Sequence, residues 1–268
     1  MITADVAERI LGGARRVSLD LGLSFSDITV VDDSVELLGL KVTHDDLREI
    51  ASKGPAVFFP EGGSVYQVAI SSERFYKLVP TAGAPTLEID GVRMHRTKDT
   101  TPDKDTEAKL GVLGVVEGRV LDTCMGLGYT ALGALNRGAE VVVSVERDSP
   151  VVRIAQMNPW SSRLFMGNIR LILGDSFHIL DALPTRFFDL VIHDPPRLTH
   201  AGELYSEEFY RKLYRVMAVG GKLFHYTGEP RSRYRGVDLQ RGVQRRLKEV
   251  GFNGTDYHPG VMGITCKK

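Results

Sequence analysis

The sequence contains few cysteines, only one tryptophan and no excess of either charge. Two of its 268 residues are cysteines, Cys124 and Cys266, which are too few for a disulfide framework or a four-cysteine metal site. Lysine plus arginine and aspartate plus glutamate number 34 each, so net charge gives no indication of a nucleic-acid binder. No apolar run approaches the roughly 18 residues of a membrane span, and the N-terminus lacks a signal-peptide pattern. We therefore expect a metal-free, cytoplasmic protein without membrane partners.

The most informative segment is a glycine turn in residues 120–131, which read VLDTCMGLGYTA. An apolar strand ends at Asp122 and is followed by Gly126, Gly128 and a helical pattern. Glycines allow a tight backbone turn, and the start of a helix offers unpaired N–H groups to a ligand. This geometry suits a nucleoside cofactor, although the same spacing also fits a dinucleotide site or a turn that binds nothing.

Three further acidic residues follow apolar, strand-like runs. Glu146 ends one run, Asp175 comes two residues after another, and Asp194 follows a third. In an open parallel sheet the carboxyl ends of the strands form one rim, and ligands bind there. The sequence therefore predicts that these acids and Asp122 face a single cleft.

This pattern resembles the class I S-adenosylmethionine-dependent methyltransferase superfamily over roughly residues 104–268. The resemblance implies that Asp122, Gly126 and Gly128 form the loop under the methionine end of S-adenosylmethionine. Cys124 stands where the family usually has its first glycine. It would belong to the same cofactor-binding loop and would reshape the turn slightly.

The resemblance also assigns the remaining cofactor contacts. Glu146 would accept hydrogen bonds from both ribose hydroxyls, a task suited to a carboxylate with two oxygens. Asp175, with Ser176 beside it, would meet the adenine.

The order of the elements predicts an α/β, Rossmann-like methyltransferase fold. We expect a mostly parallel seven-stranded sheet that ends in an antiparallel hairpin near residues 255–266. A small N-terminal α+β or β-rich domain would span residues 1–96, begin with a helix over residues 4–16, and help to select the substrate. The polar segment 97–105 is predicted as a linker into a methyltransferase domain at residues 106–268.

The chemistry is predicted at the turn formed by Asp194, Pro195, Pro196 and Arg197. Proline stiffens the backbone, so a carbonyl and the Asp194 carboxylate would form a fixed pair of acceptors for a substrate amine. The turn is similar to the Asp/Asn-Pro-Pro-aromatic motif of amino-group methyltransferases. Arg197 replaces the aromatic residue that stacks on a base in that motif, and an arginine plane can itself stack.

Three nearby residues receive secondary roles. His193 is a candidate to take a proton from a product ammonium, or is a structural strand-end histidine. Tyr205 and Tyr226 are candidates for the substrate pocket, or pack a helix onto the sheet. The basic cluster at residues 231–248 is interpreted as a solvated helix face, and would favour a phosphate-bearing substrate if it bordered the cleft.

A second resemblance, to the spermidine synthase family, spans roughly residues 64–230. It depends on Tyr66-Gln67-Val68, on LEIDGV at residues 87–92 and on ELYSEEFY at residues 203–210. It implies aminopropyl transfer from decarboxylated S-adenosylmethionine to a polyamine. The loop aspartate of that family is Leu127 here, however, and its catalytic stretch retains only Asp194.

We therefore predict an S-adenosylmethionine-dependent methyltransferase that acts on nitrogen, with aminopropyl transfer as the alternative. The acceptor is open among an RNA base, a protein and a small-molecule amine. A nicotinamide oxidoreductase and a non-catalytic binding module remain outside alternatives, and the sequence leaves a homo-oligomer open.

Overall fold

The computed structural model describes residues 1–37, 39–199, 201–228 and 239–268. The chain forms two compact units. One comprises Met1–Asp103 and Pro150–Ser162, and the other comprises Lys104–Ser149 and Arg163–Lys268.

The first unit is rich in short antiparallel strands. Its strands are Arg16–Val17 (β1), Ser26–Asp27 (β2), Thr29–Val31 (β3), Ser34–Leu37 (β4), Leu40–Thr43 (β5), Phe58–Glu61 (β6), Ser64–Gln67 (β7), Ala69–Ser71 (β8), Phe75–Val79 (β9), Thr86–Ile89 (β10) and Val92–Arg93 (β11). They form the groups β1-β2, β3-β4-β5, β6-β7 and β11-β10-β9-β8. The predicted β-rich N-terminal region is thus confirmed.

Two helices, Ala4–Leu11 (α1) and His44–Ser52 (α2), pack together in this unit. The predicted helix over residues 4–16 is too long. It ends at Leu11 because Gly12 caps it and Gly13 takes φ +93°, a left-handed conformation that glycine adopts without strain. Arg16 and Val17 then enter strand β1.

The second unit contains a seven-stranded sheet. Its strands are Gly118–Asp122 (β12), Ala139–Glu146 (β13), Ile169–Leu173 (β14), Phe188–His193 (β15), Met217–Tyr226 (β16), Asn253–His258 (β17) and Gly263–Lys267 (β18). The spatial order is β14-β13-β12-β15-β16-β18-β17. Strands β12 to β16 pair in parallel, whereas β18 runs antiparallel to β16 and β17. The predicted Rossmann-like methyltransferase fold with a closing antiparallel hairpin is confirmed.

The remaining α-helices are Pro102–Leu113 (α3), Tyr129–Asn136 (α4), Ser149–Met157 (α5), Ser176–Ala182 (α6), Glu207–Val216 (α7) and Leu239–Val250 (α8). Short 3₁₀ helices span Pro159–Phe165, Gly202–Tyr205 and Pro259–Val261. Helix α3 begins inside the segment predicted as a linker, because proline fits a first helical turn where no intrahelical N–H bond is required. Most of α5 belongs to the first unit, where Trp160 Nε1 donates to the carbonyl oxygen of Leu21 at 3.0 Å.

The core of the second unit lies between its sheet and the helices α6, α7 and α8. Phe188, Val191 and Leu223 come from the sheet, and Phe209 and Leu247 come from helices α7 and α8. All five side chains are wholly buried. In the described ranges of the chain, no helix is long and apolar enough to cross a membrane.

The strand order fixes where a ligand can bind. Chain order reverses on the two sides of β12, because β13 lies on one side and β15 on the other. In open α/β sheets such a reversal leaves a crevice at the carboxyl ends of the strands. Residues that end β12, β13 and β15 are therefore the candidates for a site.

Candidate active site

The glycine turn joins β12 to helix α4. Gly126 has φ +55° and Gly128 has φ +77°, so both occupy the left-handed region that glycine favours. A Cβ added at Gly128 would lie only 2.6 Å from the methyl carbons of Leu164. The turn therefore needs glycine at residue 128 for its conformation and for its close packing.

Glu146, at the end of β13, is bound to this turn. The Gly126 amide donates to Glu146 Oε2 at 2.9 Å, and the Asp148 amide donates to Oε1 at 2.9 Å. Burial raises the pKa of Glu146 to about 7, although the hydrogen bonds from the backbone amides act in the opposite direction. The carboxylate thus stands beside the glycine turn with an acceptor oxygen on either side, which is the chemistry needed to bind a vicinal diol.

Asp122, at the end of β12, is wholly buried. Its Oδ2 accepts a hydrogen bond from Ser144 Oγ at 2.7 Å. Burial raises the pKa of Asp122 to about 7, with a smaller contribution from the negative charge of Asp194. The prediction that Asp122 faces the cleft is therefore corrected, because the carboxylate is enclosed in protein and faces no solvent.

Cys124 lies half-buried in the turn. Thr123 Oγ1 donates to its Sγ at 3.8 Å. Burial, followed by the negative charges of Asp122 and Glu146, raises the pKa of the Cys124 thiol well above its usual value. The thiol therefore remains protonated, which makes it a poor nucleophile and a small apolar part of the turn.

Asp175 and Ser176 begin helix α6. Asp175 caps the helix, since its Oδ1 accepts from the Phe177 amide at 2.8 Å. Ser176 is buried, and its hydroxyl donates to the carbonyl oxygen of Thr123. Ser176 therefore binds α6 to the start of the glycine turn, and its hydroxyl is directed to protein backbone rather than to a ligand.

His193, the last residue of β15, is wholly buried. Its Nδ1 is 2.7 Å from Thr123 Oγ1, and its Nε2 is 3.0 Å from the carbonyl oxygen of Leu204. Burial lowers the pKa of His193 to about 3. The proton-accepting role predicted for His193 is corrected, because both ring nitrogens are occupied and no surface of the ring is open to a substrate. Its position is structural.

Asp194 is bound by a residue that sequence reasoning did not select. Lys109 Nζ, on helix α3, lies 2.6 Å from Asp194 Oδ2 and 2.9 Å from Asp105 Oδ2. The Lys109 side chain is 7% exposed, while that of Asp194 is 22% exposed. The pKa of Lys109 lies above its usual value. Burial alone would lower this pKa, but the negative charges of Asp194 and Asp105 have the larger effect. One Asp194 oxygen thus faces a permanent cation.

The three residues that follow Asp194 in the predicted turn differ in solvent exposure. Pro195 is buried, whereas Pro196 and Arg197 are exposed. Tyr205 is buried and its hydroxyl donates to the carbonyl oxygen of Pro196 at 2.9 Å. Tyr205 therefore holds the turn in place and does not itself present a hydroxyl to a substrate.

Tyr226, at the end of β16, is half-buried, and its ring centroid lies 4.4 Å from Lys109 Nζ. The structure thus brings Tyr226 and Asp194 together around the Lys109 ammonium.

The contact between Lys109 and Asp105 has a sequence signal, since the two residues are four positions apart on a helix. The contact between Lys109 and Asp194 has no sequence signal, because the two residues are 85 positions apart.

The predicted basic cluster is only partly described. Residues 229–238, which include Arg231, Arg233 and Arg235, lie outside the described residues. Of the remainder, Arg245 pairs with Glu249 at 3.9 Å on helix α8.

This chain is similar to several known proteins. The family described as conserved hypothetical protein 95 matches residues 95–219. Uncharacterized protein MJ1233 of Methanocaldococcus jannaschii is 43% identical over 275 residues, which cover all of this chain and 95% of that protein. Polyamine aminopropyltransferase 2 of Streptomyces coelicolor is 35% identical over 157 residues, which cover 56% of this chain but only 28% of that protein.

Solved structures agree on the fold. A spermidine synthase in complex with the transition-state analogue AdoDATO matches with a TM-score of 0.61 and 20% identity over 74% of this chain and 71% of that one. MnmC2 from Aquifex aeolicus matches with a TM-score of 0.52 and 18% identity over 72% and 70%. From the full-length identity, the chain belongs to the family of MJ1233, and the two solved structures share its fold.

Proposed function

We propose that this protein transfers a methyl group from S-adenosylmethionine to a nitrogen atom of an acceptor. The observation that carries the proposal is the pairing of Glu146 with the glycine turn. Glu146 places two carboxylate oxygens beside the Gly126 amide at the edge of the sheet where α/β proteins bind nucleosides. Asp194 follows β15, which pairs with β12, the strand that leads into the turn. A cofactor at the turn would therefore lie near an acceptor for a substrate N–H.

The residues present fit S-adenosylmethionine. Glu146 would hold the ribose, Asp175 would meet the adenine, and the backbone of Gly126 and Gly128 would lie under the methionine end. Both glycines have positive φ angles, a conformation that glycine adopts without strain, and neither adds a side chain to the turn. When bound, the cofactor supplies an electrophilic methyl carbon on its sulfonium.

The contribution of the chain itself would be orientation and exclusion of water. Asp194 would accept an N–H of the acceptor nitrogen and thereby direct the nitrogen lone pair toward the methyl group. The nitrogen–carbon bond would form as the carbon–sulfur bond breaks, with S-adenosylhomocysteine as the leaving group. The proton lost by the methylated nitrogen would pass to the partly exposed Asp194 carboxylate and from there to water. Pro195 and the Tyr205 contact to Pro196 fix the turn, so little freedom is lost when the acceptor binds. We include in this proposal a contribution of the N-terminal region to substrate selection.

Aminopropyl transfer is the second candidate, because polyamine aminopropyltransferase 2 shares 35% identity with part of this chain. It requires the free ammonium of decarboxylated S-adenosylmethionine to be held. Leu127, which replaces the loop aspartate expected in spermidine synthases, is wholly buried in the core. The turn therefore offers no side-chain acid for this ammonium at that position, which favours methyl transfer.

The proposal is tested by calorimetric titration of the protein with S-adenosylmethionine, decarboxylated S-adenosylmethionine and NAD. We expect S-adenosylmethionine to bind at least tenfold more tightly than either alternative. Glu146→Gln should weaken this binding by about tenfold or more, since a charge-assisted hydrogen bond contributes about 1.5–3 kcal/mol. Glu140→Gln removes an exposed carboxylate from the same strand and should leave the affinity unchanged.

Two results would contradict methyl transfer. Tighter binding of decarboxylated S-adenosylmethionine would assign the protein to aminopropyl transfer, and equal affinity of wild type and Glu146→Gln would remove Glu146 from the cofactor site. Once binding is established, RNA, protein and metabolite pools can be screened with methyl-labelled cofactor. Asp194→Asn should then bind the cofactor normally but transfer at least 100-fold more slowly.

A further inference from the structure

The surroundings of Lys109 have the composition of a binding site for a protonated amine. Its ammonium contacts Asp105 Oδ2 at 2.9 Å and Asp194 Oδ2 at 2.6 Å, and the Tyr226 ring lies 4.4 Å away. Carboxylates and an aromatic face are the groups that recognise an ammonium. In this protein, the ammonium that Asp105, Asp194 and Tyr226 surround is that of Lys109.

Lys109 is held firmly in this place. It projects from helix α3, one turn after Asp105, and its side chain is 7% exposed. An ammonium has three N–H donors, and two carboxylates together with an aromatic face satisfy it. A substrate cation could take this place only by displacing a buried lysine from two ionic contacts, which would leave that lysine uncompensated.

We propose that Lys109 is a specificity-determining residue that occupies the place of a substrate ammonium. The site therefore excludes polyamines and other protonated aliphatic amines, and takes an uncharged nitrogen that carries N–H, such as the exocyclic amine of a heterocycle or an amide. This inference rests on the proposed methyl transfer and narrows its substrate class.

Charge explains the preference for an uncharged nitrogen. Lys109 neutralises one of the two carboxylates, and a second cation near Asp194 would be repelled by its ammonium. A neutral N–H still gains a hydrogen bond from the Asp194 oxygen that Lys109 does not contact. An uncharged nitrogen also keeps the lone pair that methyl transfer requires, whereas an ammonium must first lose a proton.

The test measures binding of spermidine and putrescine by calorimetry, in the absence and in the presence of saturating S-adenosylhomocysteine. We expect no binding to the wild type below millimolar concentration. Lys109→Met should bind spermidine at least tenfold more tightly, because the variant removes the ammonium that contacts Asp194 and Asp105. Lys109→Arg keeps the charge and should resemble the wild type, as should Lys104→Met, which removes an exposed lysine from the same helix.

Two outcomes would overturn the inference: spermidine binding to the wild type as tight as to Lys109→Met, or no gain of binding in Lys109→Met. If Lys109→Met does not unfold cooperatively, the titration is repeated with Lys109→Gln instead. These titrations are independent of the comparison of S-adenosylmethionine with its decarboxylated form. Failure of the proposed methyl transfer would therefore be seen separately from failure of the role of Lys109.

Discussion

Asp122 and Glu146 end neighbouring strands, and burial raises the pKa of both to about 7. In an unfolded chain a carboxyl titrates near pH 4. The folded protein therefore retains protons that the unfolded chain releases as the pH rises from about 4 to 7. For each of these two groups, the free energy of unfolding therefore falls as the pH rises through that interval and stays at the lower value at higher pH.

His193 acts in the opposite direction. Burial lowers its pKa to about 3, below the usual value near 6.5. The stability that the neutral ring contributes is complete above about pH 6.5 and is lost as the pH falls below it. The pH dependence of the wild type therefore contains opposing contributions, and only a comparison of variants isolates Asp122.

Asp122→Asn should become more stable relative to the wild type as the pH rises from 5 to 8, because the variant has no carboxyl to deprotonate. The relative gain in free energy of unfolding should approach about 1.4 kcal/mol per pH unit between pH 5 and 7. Urea unfolding of both proteins at several pH values measures it. Asp256→Asn, at an exposed carboxyl in β17, should show a constant difference. Parallel curves for Asp122→Asn and the wild type would contradict the raised pKa.

At the scale of elements, the connection from β12 to α4 depends on the conformation of one residue. Gly128 precedes α4 with φ +77°, and a Cβ there would meet Leu164 at 2.6 Å. Gly128→Ala should therefore destabilise the protein by about 2 kcal/mol, of which the left-handed backbone alone accounts for about 1–2 kcal/mol. It should also weaken S-adenosylmethionine binding, because the turn must shift.

Gly111→Ala provides the matched control for this substitution. Gly111 lies in helix α3, and a Cβ added there would meet only open space. Alanine at this position should stabilise the protein by about 0.5–1 kcal/mol, since it restricts the unfolded chain. Urea unfolding and cofactor titration of both variants measure the contrast. A Gly128→Ala protein as stable as Gly111→Ala would show that the turn tolerates a side chain.

The elements also show which parts of the site could be predicted from sequence. Apolar runs that end in Asp122 or Glu146 predicted both the strands and their shared edge, because parallel strands present their carboxyl ends together. Whether a strand-end side chain faces solvent depends on what covers it, so the burial of Asp122 and His193 had no sequence signal. The contact of Lys109 with Asp194 joins residues 85 positions apart, and only the folded sheet brings them together.

For the whole molecule, cofactor binding and folding are linked. A ligand that binds only the folded state stabilises it by about 2.7 kcal/mol at 100 times its dissociation constant. S-adenosylmethionine should therefore raise the melting temperature, while NAD at the same concentration should not.

The size of this stabilisation should depend on pH through Glu146. Its pKa of about 7 leaves most of the free protein protonated at pH 6, and the ionised carboxylate is the better acceptor for two ribose hydroxyls. Cofactor affinity should therefore rise by up to about fivefold from pH 6 to pH 7, by up to about tenfold from pH 6 to pH 8, and level off above pH 8. Melting curves with and without S-adenosylmethionine at each pH measure the effect. In Glu146→Gln, residue 146 does not titrate, so S-adenosylmethionine should shift the melting temperature only slightly and almost equally at every pH. An equal pH dependence in the variant and the wild type would mean that another group controls cofactor binding.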